Sequence, residues 1–349
     1  MAQAGDSGTA GDSGTTGKVA VLGGGAWGTA LAKVLADKGD EVALWCRAPE
    51  LAMQINATRS NPKYLPTAQL PECLTASHDL RTCLEGARMV VFVAPSHATR
   101  EVARLAAPIL PEGVPIVSAT KGIENESLMF IDEILEEELP SCRDRLAFLS
   151  GPSFAKELAA GLPTGVVIAS KNQAVREEVM RRFHAPHLRT YGSKDVIGVE
   201  CGGALKNVVA IASGTAEGLG FGHNTRAMLI TRGLAEVVRL AIARGGEPLT
   251  LAGLAGMGDL VLTCTGELSR NKTVGVELGR GKKLQEILAN LGHVAEGVKT
   301  TKSAFELSKK LGIDMPIVRE TYAVLYEDKP AAQAVRDLMA RELGPEFDS

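Results

Sequence analysis

The chain has 349 residues, a size that suits about two domains and buries a substantial core without covalent staples. Its 45% hydrophobic and 23% charged composition is that of an ordinary globular protein. A formal net charge of −3 argues against a general nucleic-acid or membrane-surface binder, while leaving room for a local basic pocket.

Residues 1–17 are small and polar and read as a disordered tail. Order begins at Lys18. Residues 18–22, KVAVL, form a short apolar run ending at glycine, the pattern of a buried strand. Over 26–38, Leu31, Val34 and Leu35 fall at helical spacing, and Gly39 supplies a stop. EVALW at 41–45 reads as a second strand, so strand, helix and strand open a parallel α/β sheet. Residues 60–73 read as a long loop. Further strands are expected at 89–94, 115–120, 146–150 and 164–170, with helices at 99–107, 127–138 and 172–183. These strands are apolar at nearly every position, as strands covered on both faces are. Beyond about residue 194, strand-like runs become rare. Ala/Leu-rich helical segments follow at 199–217, 225–243, 284–290, 299–311 and 331–342. The reading is an α/β Rossmann-type N-terminal domain with a parallel-rich sheet over 18–194, followed by an all-α C-terminal domain over 195–342. A tail covers 343–349. Segment 199–213 is expected to join the domains as one helix.

The six cysteines, Cys46, Cys73, Cys83, Cys142, Cys201 and Cys264, show no CxxC-like spacing and read as free thiols of a reducing cytoplasm. His184 and His187 have no obvious third partner, so no metal site is expected. No signal peptide and no apolar run near the roughly 20 residues of a membrane span are evident.

Residues 23–28, GGGAWG, place Gly23, Gly25 and Gly28 in a G-x-G-x-x-G pattern after a strand and at the start of a helix. In that context Gly23 allows the tight turn, Gly25 lets the backbone approach a pyrophosphate, and Gly28 lets helix and strand pack closely. The helix N-terminus offers unpaired N–H groups to phosphates. Where an acidic residue would hold the ribose hydroxyls, the second strand ends in Cys46 and Arg47. Arg47 can meet a 2′-phosphate, so NADP is expected as well as NAD; the bland alternative is a solvated arginine. Trp27 is expected to cover the loop, or else to be a core aromatic.

Lys121 follows a strand at the sheet's carboxyl edge, where ligands bind in open α/β folds. SGPSFAKE at 150–157 follows another strand at that edge. Gly151 and Pro152 make a turn there, and Ser153 can cap the next helix or line a pocket. Lys206 lies in the almost uncharged helical stretch GGALKNVVAIA. Burial of such a lysine lowers its pKa toward neutrality, and a nearby Lys121 lowers it further, making a general acid or base. The alternative is snorkelling to water. Asp259 is similarly isolated and can orient Lys206. In ELSRNKTVG, Ser269, Arg270 and Asn271 open a helix and can receive a phosphate; a plain cap with a surface arginine is the alternative.

Taken in order, VLGGGAWGTALA, SATKGIE, LSGPSFAKE, CGGALKNVVAIASG, LAGMGDLVLTCT, ELSRNKTVG and VAEGVKT closely resemble the bacterial branch of the NAD(P)-dependent glycerol-3-phosphate dehydrogenases, from about Lys18 to Leu338. The resemblance implies reversible reduction of dihydroxyacetone phosphate to sn-glycerol 3-phosphate, supplying phospholipid synthesis. It also implies an active site between the two domains and a homodimer. It makes Lys206 the proton donor and acceptor, with Lys121 touching both cofactor and substrate. It makes Gly151, Ser153, Asn207, Asp259, Ser269, Arg270 and Asn271 substrate contacts. Ala26, Trp27, Arg47, Tyr64, Ala155, Arg270, Val294 and Glu296 become cofactor contacts. Two rivals are a β-hydroxy acid dehydrogenase of the same architecture, which needs no phosphate-binding Arg270, and a non-catalytic NADP-binding sensor.

Overall fold

The computed structural model describes residues 17–291, 295–343 and 346. The expectation of a disordered tail before Gly17, most of the expected C-terminal tail, and the assignment of Val294 lie outside the described residues. Gly17 itself is tied down, its N–H donating to Asp40 Oδ1 at 3.0 Å.

Eight strands form one sheet: β1 Val19–Leu22, β2 Val42–Trp45, β3 Leu74–Ser77, β4 Met89–Phe92, β5 Ile116–Ser118, β6 Leu146–Ser150, β7 Thr164–Ala169 and β8 Leu188–Ser193. Their order is β3-β2-β1-β4-β5-β6-β7-β8. Every neighbouring pair is parallel except β6 and β7, which run antiparallel. Along β1, Val19 and Val21 enter one apolar core while Ala20 and Leu22 enter the other. Side chains of a strand alternate in direction, so a sheet buried on both faces reads as an unbroken apolar run. Helices α1 Ala26–Asp37, α2 Pro49–Thr58, α3 Leu80–Leu84, α4 Ser96–Ala106, α5 Ile131–Glu138, α6 Ala155–Ala159 and α7 Gln173–Phe183 accompany the sheet. Only helices follow β8 among the described residues: α8 Val196–Gly218, α9 His223–Ala243, α10 Pro248–Leu251, α11 Asp259–Thr265, α12 Arg270–Gly279, α13 Leu284–Leu291, α14 Glu296–Leu311, α15 Pro316–Tyr326 and α16 Ala331–Met339. A π-helical turn, Leu254–Gly258, leads directly into α11.

Three expectations need correction. The helix expected from 127 starts at Ile131, because Leu128 takes a positive φ of 61° and Ile123 bridges Phe130. Ser153 does not cap α6: its hydroxyl donates to Gly151 O at 2.9 Å, and Phe154 is the residue preceding the helix. Helix α8, at 23 residues with a mean hydropathy of 1.4, does have the length and composition of a membrane span. The reason lies in its packing, since 78% of that window is buried inside the protein. The second apolar stretch, Pro248–Thr265, comprises α10, the π turn and α11.

Helix α8 crosses from the sheet to the helical region. Asp195 starts it, accepting from Gly198 N at 2.8 Å and Glu247 N at 2.9 Å. Val196 and Val199 join a core of the sheet, whereas Cys201, Ala204, Leu205 and Val208 join a helical core. Helix α12 lies almost backbone to backbone on α8. A Cβ at Gly214 would stand 2.2 Å from Lys272 O, and one at Gly275 would stand 2.1 Å from Ile211 O. Such contact is open only to glycine, and it fixes the start of α12 relative to Lys206.

Candidate active site

Gly23 adopts φ 146°, and a Cβ there would meet Val93 O at 2.7 Å, so turn geometry and close approach both require glycine. A Cβ at Gly28 would stand 1.9 Å from Gly23 O: the helix packs onto the loop itself as well as beside β4. Ahead of Gly25, by contrast, nothing lies within 4 Å of a built Cβ. Helix α1 opens at Ala26 with no side-chain cap, leaving its first-turn N–H groups for an anion. Trp27 packs on the core beneath, and its Nε1 is buried without a partner. An open glycine face, uncapped amides and an unpaired indole N–H together fit a dinucleotide.

One anchor of this loop escaped the sequence reading. Asn61, fully buried, donates from Nδ2 to Gly24 O at 2.9 Å and to Thr29 Oγ1 at 2.8 Å. It also accepts from Tyr64 N at 3.1 Å, which places Tyr64 beside the glycine loop. Asn61 sits in a Pro-rich polar loop, where no local pattern separates it from solvated neighbours. Ala155 opens α6 and packs against the same core. Arg47 stands exposed just past β2, while Cys46 beside it is buried against Gly24, 2.4 Å from a built Cβ.

The chemical centre lies where β5, α8 and α11 converge. Asp259, at the first position of α11, has a side chain only 1% exposed. Its Oδ1 stands 2.5 Å from Lys206 Nζ and its Oδ2 2.6 Å from Lys121 Nζ. Lys121 also donates to Gly151 O at 3.3 Å, and Thr263 Oγ1 to Asp259 O at 2.6 Å. Burial pushes the Asp259 carboxyl up, but the two ammoniums outweigh it and hold its pKa below the usual range. Burial lowers Lys206; Asp259 opposes this and Lys121 adds to it, bringing its pKa to about 8. A lysine near neutrality can both give and take a proton.

Around this centre the remaining expected residues fall into two groups. Ser269 caps α12, its Oγ accepting from Lys272 N at 3.2 Å. Arg270, the first residue of that helix, is exposed. Asn271 Oδ1 accepts from Gly297 N at 3.0 Å, tying the starts of α12 and α14 together. Glu296 at the start of α14 is raised by burial, against the pull of Arg270, Lys206, Lys121 and Lys299, so it faces the same cations. Asn207 is buried beside Lys206 on α8. The structure thus gathers Lys121, Gly151, Ser153, Lys206 and Asp259 tightly, with Ser269, Arg270, Asn271 and Glu296 on the adjoining helix starts. Gly23, Gly25, Ala26, Trp27, Gly28 and Tyr64 form a second group at the glycine loop, with Arg47 at its rim.

The chain matches the family model described as NAD-dependent glycerol-3-phosphate dehydrogenase N-terminus over residues 18–176, and that for the C-terminus over 195–336. It is 53% identical over 330 residues to a glycerol-3-phosphate dehydrogenase (NAD(P)+) of Geobacter sp. strain M21, covering 94% of this chain and 98% of that protein. It is 53% identical over 327 residues to the protein of the same name from Leptospira biflexa, covering 93% and 98% of the two chains. The crystal structure of glycerol-3-phosphate dehydrogenase from Coxiella burnetii superposes with a TM-score of 0.90 at 41% identity, over 94% of this chain and 100% of that one.

Proposed function

Because the chain belongs to the NAD-dependent glycerol-3-phosphate dehydrogenase family, it is an NAD(P)-dependent oxidoreductase of glycerol 3-phosphate, and we propose that Lys206 moves the proton in its reaction. The observation that carries this reading is the pair of lysines on one buried carboxylate, with Lys206 brought to about 8.

When bound, the nicotinamide supplies or accepts the hydride. As dihydroxyacetone phosphate is reduced, the ketone oxygen gains negative charge and needs a proton. Lys206 as the ammonium gives it, and as the free amine takes it back in the reverse direction. Lys121 places a second positive charge where that oxyanion develops. Arg270 and the start of α12 hold the phosphate, which fixes the ketone in line with Lys206. Ser153, Asn207 and Asn271 line the same approach. Asp259 keeps both lysines in place. At the cofactor end, the α1 amides hold the pyrophosphate, with Trp27, Tyr64, Ala155 and Glu296 around the dinucleotide. Arg47 has no ion-pair or hydrogen-bond partner among the described residues, which supports acceptance of NADP beside NAD. The enzyme acts in the cytoplasm without a metal, supplies phospholipid backbones and works as a homodimer.

The direct test is loss of NADPH, and separately NADH, absorbance when dihydroxyacetone phosphate is added, with wild type and Lys206→Ala. Turnover in the variant is expected to fall by about 10²–10⁴ with cofactor affinity nearly intact. Unchanged turnover would remove Lys206 from the mechanism. Oxidation with β-hydroxy acids but not with the phosphorylated substrate would return the chain to the rival dehydrogenases.

A further inference from the structure

Against the stem of Lys121 lies a small cavity that the proton-transfer chemistry does not use. It is lined by the end of β5, the end of β6 and the first turns of α8, and holds about 10 Å³, the room of one water. Three features of its wall point to a polar occupant. Ser150 is 4% exposed, and its Oγ has no hydrogen-bond partner. Glu200 is a second lining residue. Its Oε2 accepts from Asp132 N at 3.2 Å. Gly203 keeps the space open: a Cβ there would stand 2.8 Å from Ser150 Oγ and 3.4 Å from Lys121 Cγ.

We propose that this cavity is a water site, its occupant hydrogen-bonded to Ser150 Oγ and the Glu200 carboxyl, and that Ser150 and Glu200 thereby position Lys121. A buried hydroxyl left unpaired costs about 1–3 kcal/mol, and a water in a cavity of this size needs at least two polar partners, which these residues supply. Burial and the neighbouring Asp132, which also shares a side-chain hydrogen bond with it, hold the Glu200 carboxyl well up, and its oxygens can accept from the water. The stem of Lys121 forms the adjoining wall, and its ammonium donates to Gly151 O, the residue that follows Ser150. Packing on that wall therefore sets how far the ammonium reaches toward Asp259. In this role Ser150 and Glu200 are positioning residues that act through Lys121. The same arrangement explains the paired glycines before Lys206. Gly202 yields to the backbone of Ala255, a built Cβ standing 2.3 Å from its carbonyl oxygen, and Gly203 yields to the cavity.

Two measurements test this, and the second rests on the dehydrogenase reading. A high-resolution crystal structure of the full chain is expected to show one isolated solvent peak within hydrogen-bond reach of Ser150 Oγ and Glu200. An empty cavity overturns the site whatever the enzyme's activity. In kinetics, Ser150→Ala is expected to lower kcat about fivefold, the worth of one net hydrogen bond, with little change in KM. In a Lys121→Ala background the same substitution should cost nothing more, as expected of residues acting through one group. An equal loss in both backgrounds overturns the positioning role. Should Ser150→Ala fold poorly, Gly203→Ala fills the cavity from the other side and must show the same dependence on Lys121. If the enzyme lacks glycerol-3-phosphate activity altogether, the kinetic arm fails while the solvent peak still decides the site.

Discussion

Replacing Asp259 with asparagine removes the one carboxylate shared by Lys121 and Lys206 while keeping the shape of the side chain. Breaking a buried ion pair by removing one partner costs roughly 3–5 kcal/mol. Both lysines lie at nearly equal distance from the carboxylate, 2.6 and 2.5 Å, so about half of that cost falls on Lys206. At 1.36 kcal/mol per pKa unit, Lys206 drops from about 8 to roughly 6–7. In the mechanism proposed above, the ammonium is the form that donates in ketone reduction. At pH 7.5 its population falls from about three quarters to roughly 3–25%, so turnover falls roughly three- to twenty-five-fold from protonation alone. At pH 6 the two proteins converge to within about twofold. The assay is steady-state oxidation of NADPH by saturating dihydroxyacetone phosphate between pH 5.5 and 9, with circular dichroism to verify folding. In the reverse direction, where the free amine is needed, the variant's rising limb should move to lower pH by the same amount. A loss that is identical at pH 6 and pH 8, or an alkaline limb that stays near 8, would refute the claim that Asp259 tunes Lys206.

Arg270→Ala should raise KM for the phosphorylated substrate about ten- to a hundred-fold through loss of a charge-assisted contact; an equal effect on an unphosphorylated analogue would contradict the phosphate role. Gly25→Ala should leave thermal stability near wild type, because a Cβ there meets nothing, yet weaken cofactor binding measured by calorimetry. Gly28→Ala should destabilise the fold, since its Cβ would stand 1.9 Å from Gly23 O; similar melting temperatures for the two variants would sink this distinction. Glu236 on α9 caps α15, accepting from Ile317 N at 2.6 Å and Val318 N at 3.1 Å, yet burial pushes its pKa up to about 7. The folded chain then keeps a proton that the unfolded chain gives up near 4.5, so Glu236's contribution to stability falls as pH rises through about 7. Glu236→Gln removes that slope: its deficit in urea unfolding should be larger at pH 5 than at pH 8, and a constant deficit would show that Glu236 does not titrate there.

What was legible in the sequence was what depends on neighbours along the chain. The central strands β1, β4 and β6 are apolar on every face and announce themselves, and the glycine loop follows the first of them. The edge strands β3, LTAS, and β8, LRTYGS, were missed because an edge tolerates exposed polar residues, and β8 carries three exposed positions. Helix α15 was missed as well; Glu236 of α9, far away in sequence, supplies the cap at its start. For the site, isolated charges in apolar surroundings singled out Lys206 and Asp259, since a charge so placed needs a partner. Asn61, Ser150, Glu200 and Glu236 gave no such signal. Each owes its role to a residue that only folding brings close.

The course of α8 through both halves has a consequence for recombination. Because Val196 and Val199 fill the sheet's core while Asp195 also holds Glu247 of the helical region, a seam cut inside this helix would strand apolar surface on both sides. Any chimera pairing this nucleotide-binding half with a foreign helical half must be spliced before Asp195, and the incoming helix must bring its own plug for the sheet. Exchange of whole halves between lineages is therefore constrained by a lock-and-key fit at two valines, and new substrate ranges are more readily reached by altering the starts of α12 and α14 than by trading modules.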